Sequence, residues 1–202
     1  MAHEKLQEVE LALTRREAKE VALEGAPARA AVALLFEPRI DDLYLFFIHR
    51  AANDRDPWSG HMGFPGGFMD PEDADLLSTV SREVREELGF DLSSSARLLG
   101  RLDEIQGVAR GRQLPLVISP FLFALERAVE PVPNQEVQGV LWVPMTFLEN
   151  PRNESMIEHQ IGEQRMRLPA FIYEDRTIWG LTFRMLQNLL DVIRSTRRPQ
   201  PG

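Results

Sequence analysis

The stretch FPGGFMDPEDADLLSTVSREVREELGF, Phe64 to Phe90, decides how the chain is read. At about 100° per residue, Leu77, Val80, Val84 and Leu88 fall on one stripe, so the spacing predicts an amphipathic helix. Asp70 or Asp73 can cap its start, Glu72, Asp73 and Asp75 suit its positive end, and Gly89 suits a left-handed stop. With Glu83 set at zero, Glu87 lies near about +40° and Glu86 near about −60°. Three carboxylates therefore share one arc beside the apolar stripe, in the last turns of the helix. A helix C-terminus carries partial negative charge and favours Lys, Arg or His there. Arg82 can reach Glu86 at i+4 and orient it.

A solvated acidic face is the ordinary meaning of a Glu-rich helix. Here the like charges repel one another and the helix end repels them all. A hard divalent cation such as Mg²⁺ relieves both penalties, because it prefers carboxylate oxygens. Gly66 and Gly67, just upstream, allow close approaches that bulkier residues forbid. A backbone carbonyl from that loop could complete a coordination shell.

Outside this stretch the composition is that of an ordinary globular protein: 202 residues, 44% hydrophobic and 27% charged. That length suits one domain with a proper core. A net charge of −8 argues against non-specific nucleic-acid binding. The chain has no cysteine, which excludes disulfides, thiolate metal sites and cysteine nucleophiles. The longest apolar runs, AAVALLF (Ala30 to Phe36) and LYLFFI (Leu43 to Ile48), are too short to span a bilayer and read as buried strands. MAHEKLQEVELALTRREAKE lacks the features of a signal peptide, so a cytoplasmic protein without a membrane partner is expected.

Turn chemistry divides the remainder. A helix is expected from about His3 to Leu23, its stripe of Leu6, Val9 and Leu13 serving as a packing appendage or, alternatively, as a dimerisation helix. Strands follow at Arg29–Phe36 and Leu43–His49. RAANDRDPWSGHMGFPGG then reads as a long loop, of a length that is usually functional. Further strands are expected at Arg97–Ile105, Leu116–Leu125 and Val137–Val143, then a short helix through Leu148. A polar stretch at Arg152–Gln164 leads to a strand at Arg165–Tyr173 and a closing helix from about Trp179 to Ser195. The division is a helical appendage at 1–26, one domain at 27–196 and a tail at 197–202. The pattern is α+β, an α/β/α sandwich in which a mixed sheet is flanked by helices.

Arg82, Glu83, Val84, Glu86, Glu87, Gly89 and Phe90 resemble the second half of the Nudix box, G-x5-E-x7-R-E-U-x-E-E-x-G-U, where U is a bulky aliphatic residue. Counted from Gly67, the first acidic position holds Asp73, and eight residues rather than seven separate it from Arg82. That expansion resembles the coenzyme A pyrophosphatase branch, as do FPGG before the box, LGRLDEI (Leu99 to Ile105), Pro120, NQEVQGVLWVP (Asn134 to Pro144) and IWGLTFRML (Ile178 to Leu186). The branch usually carries an Arg-x-His-x-Gly segment before the box. Here Gly60 fits, Trp58 stands in the histidine's place and His61 is out of register.

The resemblance implies a Nudix fold, an extra N-terminal helix and hydrolysis of a small-molecule diphosphate with Mg²⁺ or Mn²⁺. Glu86 and Glu87 would be metal ligands and Glu83 a ligand or the general base. The Gly66 carbonyl would be a further ligand, and Arg82, supported by Asp73, would orient the carboxylates. Glu136, in a turn before a strand, is either another ligand or base or an exposed turn residue. Arg50, Arg55 and Arg101 are candidates for phosphate contact, since Arg suits that geometry. Trp58 and Phe64 are candidates for a base pocket, and Trp179 reads more simply as core. Coenzyme A, nucleoside diphosphate sugars, ADP-ribose and dinucleoside polyphosphates all remain open as substrates, and a homodimer is open too. A non-catalytic ligand-binding module with the same fold is the alternative. An isomerase of this fold is disfavoured, because that type resembles a cysteine-plus-glutamate mechanism.

Overall fold

A computed structural model describes residues 1–25, 27–53, 56, 58–109, 111–161 and 164–197. Helix α1 (Ala2–Thr14) leads into β1 (Ala28–Pro38), β2 (Leu43–Arg50) and two short strands, β3 (Met62–Gly63) and β4 (Gly66–Phe68). The acidic helix is α2 (Leu76–Leu88), followed by a single turn, α3 (Leu92–Ser95). Then come β5 (Ala96–Arg101), β6 (Ile105–Ala109), β7 (Arg112–Leu125), β8 (Val137–Pro144) and α4 (Met145–Glu149). The chain finishes with β9 (Glu154–Ile161), β10 (Gln164–Tyr173), β11 (Arg176–Trp179) and α5 (Gly180–Arg197).

Strands β1 to β8 form one mixed sheet, ordered β3-β2-β1-β7-β5 with β4, β6 and β8 paired at its sides. Within it β1 and β7 run parallel and the other pairs antiparallel. β9, β10 and β11 form a separate antiparallel sheet. The unbroken apolar run of β1 has a simple cause: both of its faces are covered. Ala31, Ala33 and Leu35 pack with Val80, Val84 and Leu88 of α2. Ala30, Leu34 and Phe36 join Leu6 and Val9 of α1 and Leu186, Leu189 and Leu190 of α5 on the other face. The result is the expected α/β/α sandwich.

One departure from regular pairing places the site. β1 pairs with β2 only over Phe36–Pro38, whereas its first half pairs with β4 over Ala30–Val32. β2 meanwhile pairs with β3 through Ile48 and His49. The two central strands therefore diverge, and the Met62–Phe68 segment fills the fork. The amide of Ala33 donates to the Pro65 carbonyl (2.8 Å) at its apex.

Four local expectations are corrected. The first helix stops at Thr14, not Leu23, and residues 15–23 continue without regular structure. Their backbone donors find partners on the sheet instead: Lys19 N–H donates to Asp103 (2.7 Å) and Val21 N–H to Glu104 (3.0 Å). The strand expected at Arg97–Ile105 is two, β5 and β6, because Asp103 and Glu104 turn out of the ladder to receive those donors. The polar stretch at Arg152–Gln164 contains β9, paired along its length with β10. Asp75, rather than Asp70 or Asp73, caps α2 by accepting from Ser78 N–H at 2.7 Å.

Asp42, 5% exposed, locks α1 and α4 to the β1–β2 turn. It accepts from Lys5 Nζ (2.7 Å) and from Thr146 N–H (2.9 Å) and hydroxyl. Burial pushes its carboxyl up, but those hydrogen bonds outweigh burial and hold it below the usual value. Asp42→Ala leaves buried donors unmatched and is expected to cost on the order of 2–3 kcal/mol. Urea unfolding that differs from wild type by less than about 0.5 kcal/mol, the range of a plain surface change, would refute this anchoring role.

Candidate active site

The fork between β1 and β2 brings α2, the glycine loop and a cavity together. Gly66 has φ +143°, and a Cβ there would lie 2.1 Å from the Ala31 carbonyl oxygen. Only glycine allows β4 to lie so close to β1. The Gly66 amide donates to Glu87 Oε2 at 2.8 Å. A Cβ on Gly67 would stand 2.4 Å from Glu83 Oε1, so that carboxylate lies directly against the loop.

The end of α2 is completed by the segment before β8. Gly89 adopts φ 74°, and its amide donates to the Arg85 carbonyl at 3.0 Å. Val132 N–H and Asn134 N–H donate to the Leu88 and Glu87 carbonyls (2.8 and 3.0 Å), satisfying groups a helix end leaves unpaired. The same segment carries Glu136, whose carbonyl accepts from Ala51 N–H (2.8 Å). Its charge is felt by both Glu83 and Glu87.

The carboxylates differ sharply in environment. Glu87 is 2% exposed, and burial pushes its carboxyl up to about 8 against the pull of the Gly66 amide and Arg50. Burial likewise raises Glu83, opposed by Arg82 and reinforced by Glu86 and Glu136. The Glu86 side chain is 54% exposed. Arg82 organises the group: Nε and Nη2 bond Asp73 (3.1 and 2.9 Å), Nη1 bonds Glu83 (2.9 Å) and Glu86 (3.3 Å), and Nη2 also reaches the Phe68 carbonyl (3.0 Å). The first of these bonds holds Asp73 well below the usual carboxylate range. Among the described residues, no three His, Asp or Glu side chains converge as they stand into a metal-holding group. Arg82 and the Gly66 amide hold the nearest oxygens. The donor set nevertheless fits a hard cation: only oxygen donors gather there, burial and mutual repulsion disfavour their charge, and the absent Gly67 Cβ leaves room beside Glu83.

A cavity of about 490 Å³ lies on the α5 side of the sheet, with Gly66, Gly67 and Phe68 in its lining. Arg50 lies on its wall. Its Nε and Nη2 hold Asp56 (2.8 and 2.7 Å), while Nη1 is 4.0 Å from Glu87 Oε1. Asp56 also accepts from Trp58 N–H (2.9 Å), fixing the loop after β2. Trp58 lines the cavity, its indole N–H donating to the Val108 carbonyl (3.1 Å). Phe64 lines it too, stacked on Phe47 at 4.9 Å.

The fold thus gathers Arg82, Glu83, Glu86, Glu87, Gly66 and Arg50, with Glu136 close enough to perturb them and Trp58 and Phe64 on the adjoining wall. Arg101 is elsewhere: it pairs with Glu20 (2.8 Å) and Glu104 (3.9 Å) and lines a separate recess near Leu13. Arg55, a candidate for phosphate contact, lies outside the described residues. Trp179, read from sequence as core, faces the cavity between His61 and His159, with ring centroids 4.5 and 4.2 Å away. Sequence reasoning missed Asp56, Leu114, Leu116, Ile118 and Met185. Asp56 and Met185 were within quoted segments, but nothing local marked them as neighbours.

Comparison with known proteins agrees with this fold. The NUDIX domain pattern matches residues 26–160. A Nudix hydrolase of Yersinia pestis, NudL, itself uncharacterised, is 30% identical over 164 residues, covering 80% of this chain and 77% of its own. Human mitochondrial coenzyme A diphosphatase NUDT8 is 28% identical over 161 residues, covering 79% and 67%. An uncharacterised Schizosaccharomyces pombe protein is 35% identical over 118 residues, and this chain spans 57% of itself but only 36% of that protein. Among solved structures, a MutT/nudix protein of Enterococcus faecalis superposes with TM-score 0.56 at 17% identity over 95% of this chain and 69% of its own. The NUDIX domain of Shewanella oneidensis NrtR, complexed with ADP ribose, gives 0.54 at 19% identity over 86% and 90%. The chain belongs to the Nudix family. Among its described residues, no helix is long and apolar enough to cross a membrane.

Two stability predictions follow from the geometry. Gly66→Ala drives a Cβ into backbone and is expected to lower the melting temperature severely, whereas Gly67→Ala meets a movable side chain and should melt near wild type. Equal melting temperatures for the two would contradict the close approach. Glu87, in metal-free protein, keeps its proton to about pH 8, against 4.5 for an unperturbed carboxyl. The native state therefore binds more protons between those values, and stability falls as pH rises across them. Glu87→Gln should flatten that slope and melt higher near pH 8. Parallel melting-temperature profiles from pH 5 to 8 would sink the burial account.

Proposed function

We propose that this chain hydrolyses a diphosphate linkage in a nucleoside-diphosphate-type substrate, coenzyme A or a derivative being the first candidate. The supporting observation is that Glu83 and Glu87 lie against the Gly66–Gly67 loop, with Glu86 joined to Glu83 through Arg82 and Glu136 near enough to perturb both, beside a cavity that the same loop lines. Glu83, Glu86, Glu87 and the Gly66 carbonyl would hold Mg²⁺ or Mn²⁺. Bound there, the cation would neutralise the diphosphate and lower the pKa of water.

The chain's own side chains have separable tasks in this reading. Arg82, braced by Asp73, orients Glu83 and Glu86, which would hold the cation. Glu83 or Glu136 accepts the proton of the attacking water. Arg50, held in place by Asp56, presents its guanidinium between the cavity and Glu87, where it can contact a phosphate oxygen. Trp58 and Phe64 receive part of the group attached to the diphosphate. Positioning and charge stabilisation supply most of the acceleration in phosphoryl transfer. The coenzyme A diphosphatase name of the human relative supports that substrate as the first to try.

The test is a panel of coenzyme A, ADP-ribose, nucleoside diphosphate sugars and dinucleoside polyphosphates with Mg²⁺ or Mn²⁺, products identified by mass spectrometry. At least one should be cleaved, and Glu86→Gln should lower kcat by about 100-fold or more, since even outer partners of a metal are worth about 10–100-fold. Phosphopantetheine released from coenzyme A would identify that substrate. No turnover of any diphosphate would leave a ligand-binding Nudix module, and full activity in Glu86→Gln would overturn the carboxylate roles.

A further inference from the structure

The cavity holds information about the substrate that the carboxylates do not, provided the glycine loop receives a diphosphate as proposed above. Its wall is built from Trp58, Phe64, Leu114, Leu116, Ile118 and Met185. Its volume, about 490 Å³, lies within the range that encloses small ligands. Asn53 and His61 also lie on that wall, and Arg50, Asp56, Trp58 and Thr182 there are hydrogen-bonded within the protein. Arg50 is held by Asp56, and Asp56 also takes the Trp58 amide. The Trp58 indole N–H serves the Val108 carbonyl, and the Thr182 hydroxyl donates to the Met62 carbonyl (2.8 Å). His61 packs against Trp179, and burial first, then the neighbouring His159, lowers its pKa, keeping the imidazole neutral.

From this wall we infer that the cavity takes an aliphatic chain carried on one phosphate of the substrate, while the polar arm lies outside. A nucleobase, a sugar or the amide-bearing arm of coenzyme A placed there would give up water for few matched partners, so an aliphatic occupant ranks coenzyme A behind diphosphates that carry a plain hydrocarbon arm. An aliphatic chain loses nothing and buries apolar surface. The geometry suits it, since Gly66, Gly67 and Phe68 line the same cavity and a chain esterified to a phosphate at the loop adjoins the apolar wall. In the hydrolysis, the water oxygen bonds to one phosphorus, the bridging P–O bond breaks, and the bridging oxygen stays with the other phosphorus. Water's hydrogens end on the two phosphate products or pass to solvent. One product is then the phosphate ester of the aliphatic arm, so alkyl phosphates are product mimics.

Trp58 and Trp179 both line the cavity, so intrinsic fluorescence of the metal-free full-length chain reports its occupation. Butyl, hexyl and octyl phosphate are titrated below their micelle-forming concentrations, with AMP and inorganic phosphate as comparisons. Kd should fall by about fourfold per added methylene until the cavity is full. Leu114→Phe, at the partly exposed rim, should bring the plateau to shorter chains. Geranyl phosphate against decyl phosphate distinguishes an isoprenoid from a straight chain, and preference for either supports the inference. A Kd independent of chain length, or AMP binding more tightly than octyl phosphate, overturns it. Failure of the hydrolase reading is separable, because this readout needs no turnover. Glu86→Gln should keep the chain-length dependence while losing activity, and a flat dependence in an active enzyme rejects the aliphatic occupant alone.

Discussion

The approach of Gly66 to Ala31 is the constraint on which the site depends. β4 can lie against β1 only where no Cβ intervenes, and that contact holds the fork between β1 and β2 open. One strand-end amide then meets Glu87 from the α2 side, while the same loop lines the cavity on the other. A sheet that paired continuously from β1 to β2 would separate the two faces. The divergence lets a carboxylate cluster on one face and an apolar chamber on the other meet at three residues.

The cluster costs stability in the metal-free chain and is held by compensations nearby. Glu87 is buried with a single backbone donor and one distant guanidinium, an arrangement that raises its pKa. Glu83 and Glu86 share one nitrogen of Arg82, whose remaining donors are committed to Asp73 and the Phe68 carbonyl. The Leu88 and Glu87 carbonyls at the end of α2 are satisfied by the Val132 and Asn134 amides. Local strain of this kind is concentrated where function is expected and offset by the surrounding core.

Much of the fold was legible because burial imposes period. The stripe Leu77, Val80, Val84 and Leu88 marked α2, and the run Ala30 to Phe36 marked a strand covered on both faces. Where backbone donors found tertiary partners, local reasoning failed. Residues 15–23 look helical by composition, yet their amides bond Asp103 and Glu104, more than eighty positions away. Asp73 looks like a cap by position, yet Arg82 claims it and Asp75 caps instead. β9 carries Glu154, Glu158 and Gln160 on its exposed face, which hid it among turn formers.

The carboxylates of α2, their arginine and the two glycines before them are set by local spacing, because a helix repeats every 3.6 residues and places its side chains without help. That much belonged to the sequence alone, and so did the resemblance that named the family. Which arginine reaches the site was decided by tertiary structure: Arg50 lies beside Glu87, whereas Arg101 turns to Glu20 and Glu104 across the sheet. The cavity was decided there too, since its wall joins β1, the loop after β2, β7 and α5, segments that periodicity can describe singly but cannot bring together. Packing between elements depends on contacts distant in sequence, and those exist only once the sheet has formed.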